Sequence, residues 1–430
     1  MKLSRYIHTF RNNGHIVLFQ TRTLAVAEVD DQTLSTLRKL PDPKLQEEFS
    51  GELDALAEQG FVLEKDKDET ELLSDWFNGI NTQAPQYTAM VLTTYACNLN
   101  CGYCIEGGNV SAPVSMNHET ADLSVDWIVE RVQELRRDGL HVVFYGGEPL
   151  LNPEALEYIA AELSNRCRFF GIEFSFTIVT NGTILQPERI EGLIPYGLRG
   201  IKTTIDGPPE VHNRNRPFTG GRPSLDTIIA NLKAVAGLTP IRINTVVTDG
   251  NINPALAVPD MLAEHGLLES ICDFEIGAAT PRLEDGKNPS RPTGCRLQSY
   301  IDNQEMLLAV YREFKSRGLR TAPLIGIEAC AMVHVDTMSI IDPLGDIYQC
   351  PAFLGQKKFS KGNIRNPDTL RIRSDIPMPP EECYECRFAP MCGGGCRFAA
   401  WLETGDIHAP HCTREVFEHH LAELVKTDFL

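Results

Sequence analysis

From residue 86 onward six apolar, β-rich runs follow one another: TAMVLTT, HVVFY, IEFSFTIVT, GIKTTI, IRINTVV and CDFEI. Helical segments separate most of them, among them TADLSVDWIVERVQEL and SLDTIIANLKAVAG. Strands that alternate with helices return in the same direction through right-handed crossovers, so the pattern predicts a parallel sheet, either open or closed part-way into a barrel. In both arrangements the chemistry gathers at the carboxyl ends of the strands. With 430 residues the chain also exceeds the roughly 250 to 300 at which single cores stop growing, so further domains are expected.

The flanks supply them. HIVLFQTRTLAVAEV, residues 15 to 29, reads as a hairpin turning at Gln20 to Arg22. Asp31 is placed to cap a helix carrying Leu34, Leu37 and Leu40, which Pro41 and Pro43 stop. A second helical face, Phe49, Leu53 and Leu56, ends at Gly60 before the short strand FVLE. Charged KDKDETE then opens a linker to about Ala84. After the six runs comes a long helix, RLQSYIDNQEMLLAVYREFKSRG, and then a cysteine-rich segment from Cys330 to Cys412. The expected domains are 1–85, 86–285, 286–325 as a helical bridge, and 326–430.

A net charge of -18 excludes a phosphate-backbone partner, which requires a basic surface. No stretch approaches the ~20 apolar residues of a membrane span. The start, MKLSRYIHTFRNN, turns polar before a signal peptide can develop, which places the chain in the cytoplasm. Thiols stay reduced there, so thirteen cysteines point to metal or catalysis.

Cys97, Cys101 and Cys104 in CNLNCGYC follow directly on the first strand, at the expected mouth. Their spacing fits one helix face, but the asparagines and Gly102 favour a loop wrapped round a metal centre. A cubane cluster takes four thiolates, and three leave one iron open for a substrate or cofactor. C-x3-C-x-Tyr-C after the first strand resembles the signature of the radical S-adenosylmethionine superfamily. That resemblance implies a partial (β/α)6 TIM-like barrel and a 4Fe-4S cluster on these three cysteines. Its open iron would chelate S-adenosylmethionine, whose reductive cleavage yields a 5'-deoxyadenosyl radical that abstracts hydrogen from a substrate. It places Tyr103 beside the adenine. YGGEP, Tyr145 to Pro149, matches the family's GGEP motif: Gly146 and Gly147 permit close backbone approach, and Glu148 or the adjoining backbone would receive the methionine ammonium. Thr180 and Asn181 end the third strand, and the fourth runs into TTIDGPPEVHNRNR, where the resemblance makes Thr204, Asp206 and Arg216 ribose and carboxylate contacts. Asn244 on the fifth strand either reaches this mouth or serves as a barrel polar residue. His212 and Arg214 read as surface or loop-bracing groups. No side chain is assigned a catalytic role.

Seven later cysteines, Cys330, Cys350, Cys383, Cys386, Cys392, Cys396 and Cys412, resemble a SPASM domain with two auxiliary 4Fe-4S clusters, three in all with the first. The resemblance gives the outer cluster Cys383, Cys386, Cys392 and Cys412, and the inner one Cys330, Cys350 and Cys396. Sulfatase-maturing relatives carry one more cysteine soon after the first. AMVHVDTMSI has none, so His334, Asp336 or Cys295 completes the inner set, or its iron stays open and suits thioether formation. Cys167, Cys272 and Cys295 read as inert core residues. Residues 1–85 resemble a winged-helix-like peptide-recognition element, where an extended leader with basic or apolar anchors would pair with a hairpin edge. Together these features imply a peptide maturase served by an external low-potential electron donor and acting on a ribosomally made precursor. Thioether formation is the first expectation, carbon-carbon or carbon-oxygen crosslinking the second, formylglycine formation the third; a zinc-stabilised peptide-binding scaffold is the non-enzymatic alternative. Deleting residues 1–85 should stop turnover of the full precursor and spare uncoupled cleavage of S-adenosylmethionine.

Overall fold

The computed structural model describes residues 1–40, 42, 50–106, 114–247, 251–279, 300–327, 330–376 and 378–430. They divide into two compact units: Met1–Gln83 with Pro323–Val333 and Asp375–Leu430, and Ala84–Ala322 with His334–Ser374.

In the first unit β1 (Lys2–Leu3) pairs with β5 (Val62–Leu63), and β2 (Ile7–Asn12), β3 (His15–Gln20) and β4 (Val26–Val29) form an antiparallel sheet in that order. The expected hairpin is β3 and β4. Strand β2 was not expected, although Asn13 and Gly14, at φ 48° and 90°, form the Asn-Gly turn typical of two-residue hairpins. Helix Asp31–Leu37 is capped one residue earlier than the sequence suggests: Asp30 Oδ1 accepts from Thr33 N at 2.7 Å, and Asp31 is the first helical residue. Leu34, Leu37, Leu40 and Leu53, the last on helix Ser50–Glu58, bury against Ile16, Leu18 and Phe61. Pro41, Pro43 and Phe49 lie outside the described residues.

The expected linker is instead a helix, Glu69–Gln83. Its charged lead-in hides an apolar face on which Leu73 and Phe77, one turn apart, are buried with Tyr6 and Ala389. Met378, Cys383 and Cys386 pack against the same cluster. The N-terminal module therefore shares a core with the cysteine segment, and removing residues 1–85 would strip the support beneath two of its thiols. A point change is the cleaner probe. Phe77→Ala should cost about 3–5 kcal/mol within this unit. Iron bound by the C-terminal cysteines should fall while S-adenosylmethionine cleavage persists; unchanged iron content would contradict the shared core.

In the second unit all six predicted runs are strands: β6 (Gln86–Thr94), β7 (Gly139–Gly146), β8 (Glu173–Val179), β9 (Leu198–Thr204), β10 (Ile241–Val247) and β11 (Ile271–Ala278). They are parallel and neighbour one another in strict chain order, with no reversal. At the free edge of β6 a late strand, β12 (Met338–Ile341), joins in parallel and pairs with β13 (Ile347–Tyr348). Burial alternates with the pleat. On β10 Ile241, Ile243, Thr245 and Val247 are buried, whereas Arg242, Asn244 and Val246 keep partial exposure on the other face. Helix Pro153–Phe170 starts on a proline and ends at Gly171, whose φ of 72° suits glycine at that position. The long helix expected after the strands is described over Tyr300–Ser316, with Phe314 packed edge-on to Phe274 of β11. Cys167 is buried as expected, Cys272 is only half-buried, and Cys295 lies outside the described residues. Among the described residues no helix is long and apolar enough to cross a membrane.

Candidate active site

A cavity of about 400 Å³ lies at the carboxyl-terminal halves of β6 to β11, and all six parallel strands contribute to its wall. Cys97, Cys101 and Cys104 line its mouth with Tyr103. Their segment is a loop, as the asparagines and glycine imply. It runs against Asn215–Thr219, with Asn100 N donating to Pro217 O at 2.8 Å, Gly102 N to Asn215 O at 3.0 Å and Thr219 N to Asn98 O at 2.9 Å. Asn98 fastens the loop to the end of β8. Its Nδ2 donates to Thr183 Oγ1 at 2.8 Å, and its Oδ1 accepts from Asn181 Nδ2 at 2.7 Å. Three cysteine thiols, none in a disulfide, on one braced loop at one cavity fit a cluster with an open iron. Among the described residues no three Cys, His, Asp or Glu side chains converge as ligands of a single ion do; cubane thiolates each take a different iron and need no such convergence.

Gly146 and Gly147 also line the cavity, and their lack of side chains is required. Gly147 N donates to Thr94 O at 3.0 Å and Glu148 N to Ala96 O at 2.8 Å, pressing the exit of β7 against the approach to Cys97. A Cβ at Gly147 would stand 2.3 Å from Ala96 O. Glu148 is fully buried and is not part of the wall. Its Oε1 accepts from Thr180 Oγ1 at 2.8 Å and Leu150 N at 3.0 Å, its Oε2 from Asn181 N at 2.6 Å, and burial raises its pKa to about 7. This carboxyl ties the end of β7 to that of β8, while Thr180 and Asn181 present themselves to the cavity.

On the opposite side Tyr103 Oη donates to Asp206 Oδ2 at 2.6 Å and accepts from Arg216 Nη1 at 2.9 Å. Val246 N, on β10, donates to Asp206 Oδ1 at 3.2 Å. Burial pushes the Asp206 carboxyl and the Tyr103 phenol up. Burial opposes the Arg216 charge, but Tyr103, Cys101 and Asp206 outweigh it and the net shift is upward. Asp206 stays behind the wall; Tyr103 and Arg216 are in it. Thr204 and Asn244 are neighbours in the wall, Asn244 Nδ2 donating to Thr204 Oγ1 at 3.3 Å.

His212 is not a surface group. It is fully buried, its Nδ1 accepts from Asp206 N at 3.4 Å, and burial followed by the Arg216 charge drives its pKa down to about 3. Loop bracing is its observed role, and Arg214 is exposed. A depressed histidine pKa contributes stability above about 6.5, its unfolded value, and loses it as pH falls toward 3. The melting-temperature advantage of the wild type over His212→Gln should therefore shrink from pH 6.5 to pH 4. A difference independent of pH would contradict the neutral buried ring.

Two charged wall residues escaped the sequence reading. Glu106, two places after Cys104, is buried and pushed up to about 8 by burial, with Tyr145 beside it. Lys202 faces the cavity and pairs with Glu275 of β11. Only the alternation of β9 marks Lys202 and Thr204 as facing the same side.

In the first unit Cys383, Cys386, Cys392 and Cys412 come together: burial, then Cys392, Glu382, Cys386 and Cys412, push the Cys383 thiol up to about 12. Gly393, Gly394 and Gly395 all have positive φ, and a Cβ on Gly395 would stand 2.0 Å from His411 O, so the glycines let the Cys412 segment close on Cys392. Buried Arg397 holds that turn through Gly395 O at 2.9 Å and Ala409 O at 3.2 Å. Cys330 is raised by burial and by nearby Cys396. Cys350 follows β13 in the second unit. Asp336 is engaged by Arg131 at 2.5 Å, and His334 is buried and driven down to about 4 by burial.

Residues 91–252 match the family model described as the Radical SAM superfamily. Mycofactocin maturase MftC of Mycolicibacterium smegmatis (strain ATCC 700084 / mc(2)155) is 26% identical over 332 residues, covering 74% of this chain and 79% of that protein. The structure of anSMEcpe with bound AdoMet matches with a TM-score of 0.61 at 19% identity, covering 80% of this chain and 95% of that one. Streptococcus suis SuiB bound to precursor peptide SuiA matches with a TM-score of 0.54 at 16% identity, over 96% of this chain and 99% of that one. The family match runs from β6 to just beyond β10 and takes in the cysteine loop with every wall residue foreseen from sequence, so this chain carries a Radical SAM domain.

Proposed function

We propose that the chain is a peptide maturase that installs an oxidative crosslink, a thioether by preference, in a ribosomally made precursor. The observation that carries the reading is the single cavity in which three thiols meet Tyr103, Asn181 and Arg216 across six parallel strands. Six strands in chain order around one cavity support a partial (β/α)6 barrel. A volume of about 400 Å³ suits a cofactor and one reacting side chain better than a whole folded substrate. The maturase relative and the peptide-bound SuiB support a peptide as that substrate, and the SuiB match extends over the N-terminal module.

When bound, the cluster and S-adenosylmethionine would supply hydrogen-abstracting radical chemistry, with the reducing electron to come from an external low-potential donor. The chain's own residues hold and aim. Cys97, Cys101 and Cys104 would hold three irons and leave the fourth open. The Gly146–Gly147 backbone would receive the methionine ammonium, with Glu148 fixing it from behind. Arg216 and Asp206 lock the Tyr103 phenol, and the ring held in this way would flank the adenine. Thr180, Thr204 and Asn244 would take the ribose and carboxylate oxygens. Residues 1–85 would act as the winged-helix-like recognition module, taking the leader along an edge strand of the β2–β4 sheet. The C-terminal cysteines would hold two auxiliary clusters, three in all, as a SPASM domain does. For the inner set, Cys330, Cys350 and Cys396, Arg131 already engages Asp336, which favours His334, Cys295 or an open iron as the completion. An open iron suits capture of a substrate thiolate, which favours the thioether.

The test is anaerobic incubation of the reconstituted enzyme with S-adenosylmethionine, reductant and the peptide encoded beside its gene. Loss of two hydrogens per crosslink, with a cysteine no longer open to alkylation, is expected. Unmodified peptide alongside abundant 5'-deoxyadenosine would overturn the peptide reading and leave the family assignment standing.

A further inference from the structure

The first unit contains a second cavity, of about 370 Å³, distinct from the one at the strand ends. Its apolar side comes from Ile7 of edge strand β2 and from Leu34 of helix Asp31–Leu37. Its rim carries four arginines: Arg5, Arg38, Arg387 and Arg414. The one carboxylate in the lining, Glu385, is held by Arg5 at 2.7 Å. Arg414 is paired with Glu418 at 2.8 Å. Arg38 and Arg387 are exposed and form no ion pair among the described residues, although Glu418 lies within electrostatic reach of Arg387.

Such a concentration of cations is out of character for a chain with 40 Lys and Arg against 58 Asp and Glu. The overall charge does not cancel it, because exposed charges further apart than a Debye length, about 8 Å at physiological ionic strength, are largely screened. Guanidinium groups bind carboxylates as bidentate forks, and an apolar floor beside them accepts the methylenes of glutamate. An extended peptide lying along β2 would present alternate side chains to the arginines at the strand spacing of about 6.6 Å.

We propose that this groove is a carboxylate-binding site that takes an acidic segment of the precursor peptide. The proposal rests on the peptide-maturase reading, and it reverses the expectation of basic or apolar anchors. It also gives the Cys383–Arg387 loop a part in substrate capture, because Arg387 lies next to Cys386, which itself lines the groove.

The probe is fluorescein-labelled hexaglutamate, titrated by anisotropy against the full-length protein, with hexaglutamine and an oligothymidylate of equal charge as competitors. Hexaglutamate should bind, weaken with added salt and resist both competitors. The doubly reversed variant Arg38→Glu with Arg387→Glu should bind about tenfold more weakly or worse, with an unchanged melting temperature. Glu385→Gln, which removes the carboxylate from the lining and leaves Arg5 paired with Glu69 alone, should tighten binding a few-fold. Equal binding of the glutamine peptide, or unaltered affinity in the double variant, would overturn the site. Displacement by oligothymidylate would also overturn it, in favour of an unselective polyanion patch. Cleavage of S-adenosylmethionine without peptide, measured in parallel, separates the two readings: it should be the same in wild type and double variant, and its absence from both would sink the maturase while leaving the binding result intact.

Discussion

Cys101→Ala is expected to abolish 5'-deoxyadenosine formation and leave the fold intact. Its thiol is the middle one of three on a loop whose backbone is held independently, by Asn100, Gly102 and Thr219 against the Asn215–Thr219 segment. The loop should therefore keep its course when the sulfur is lost. What disappears is a ligand, and with it the electron source. Metal centres contribute several kcal/mol to the reactions they drive, so a loss on the order of a thousandfold or more is the scale to expect. Far-ultraviolet circular dichroism should not change, and iron should fall by about one cluster's content. Retained cleavage at even a tenth of the wild-type rate would contradict the assignment of this loop.

Gly147→Ala should be nearly as damaging by a different route. The added Cβ meets Ala96 O at 2.3 Å, Tyr95 O at 2.6 Å and Ala96 C at 2.7 Å, all backbone atoms with no rotamer to relieve them. Either β7 or the approach to Cys97 has to move. Overpacking of this kind costs about 1–3 kcal/mol, or roughly 2–4 °C of melting temperature per kcal/mol in a unit of this size. The larger effect is on the site, because the displaced segment leads straight into the cysteine loop. Poor cluster loading and cleavage reduced at least tenfold are expected; full iron content with wild-type cleavage would show that the close approach has no bearing on the site. Gly171→Ala, at a helix end with nothing within 4 Å of the added Cβ, provides a control for glycine loss away from the site.

Sequence made the second unit legible because its strands are β-branched runs bounded by turns, and each arrived within a few residues of its expected place. Their parallel direction followed from the alternation with helices, while the order of the sheet came from the structure. What could not be read was the arrival of β12 at the edge of β6 from some 250 residues away, since MSII carries no mark of its partner. Helix Glu69–Gln83 was missed because its first turn is dense in charge, although Leu73 and Phe77 are spaced for one buried face. The site was legible where chemistry comes in clusters, as with the three thiols and the two glycines. Glu106 and Lys202 are single charged residues, without spacing or company to distinguish them from a solvated surface. The sequence also put Glu148 among groups that meet the cofactor; its burial and three hydrogen bonds make it a strut between strands, a distinction only the structure draws.

The claim on which everything else depends is that the Cys97–Cys104 loop leaves one iron open to S-adenosylmethionine. Electron paramagnetic resonance of the dithionite-reduced enzyme, recorded before and after adding S-adenosylmethionine, tests it most directly. The account predicts a signal that changes on addition, and no such change in Cys101→Ala. Identical spectra from fully loaded wild-type protein, with and without S-adenosylmethionine, would contradict it.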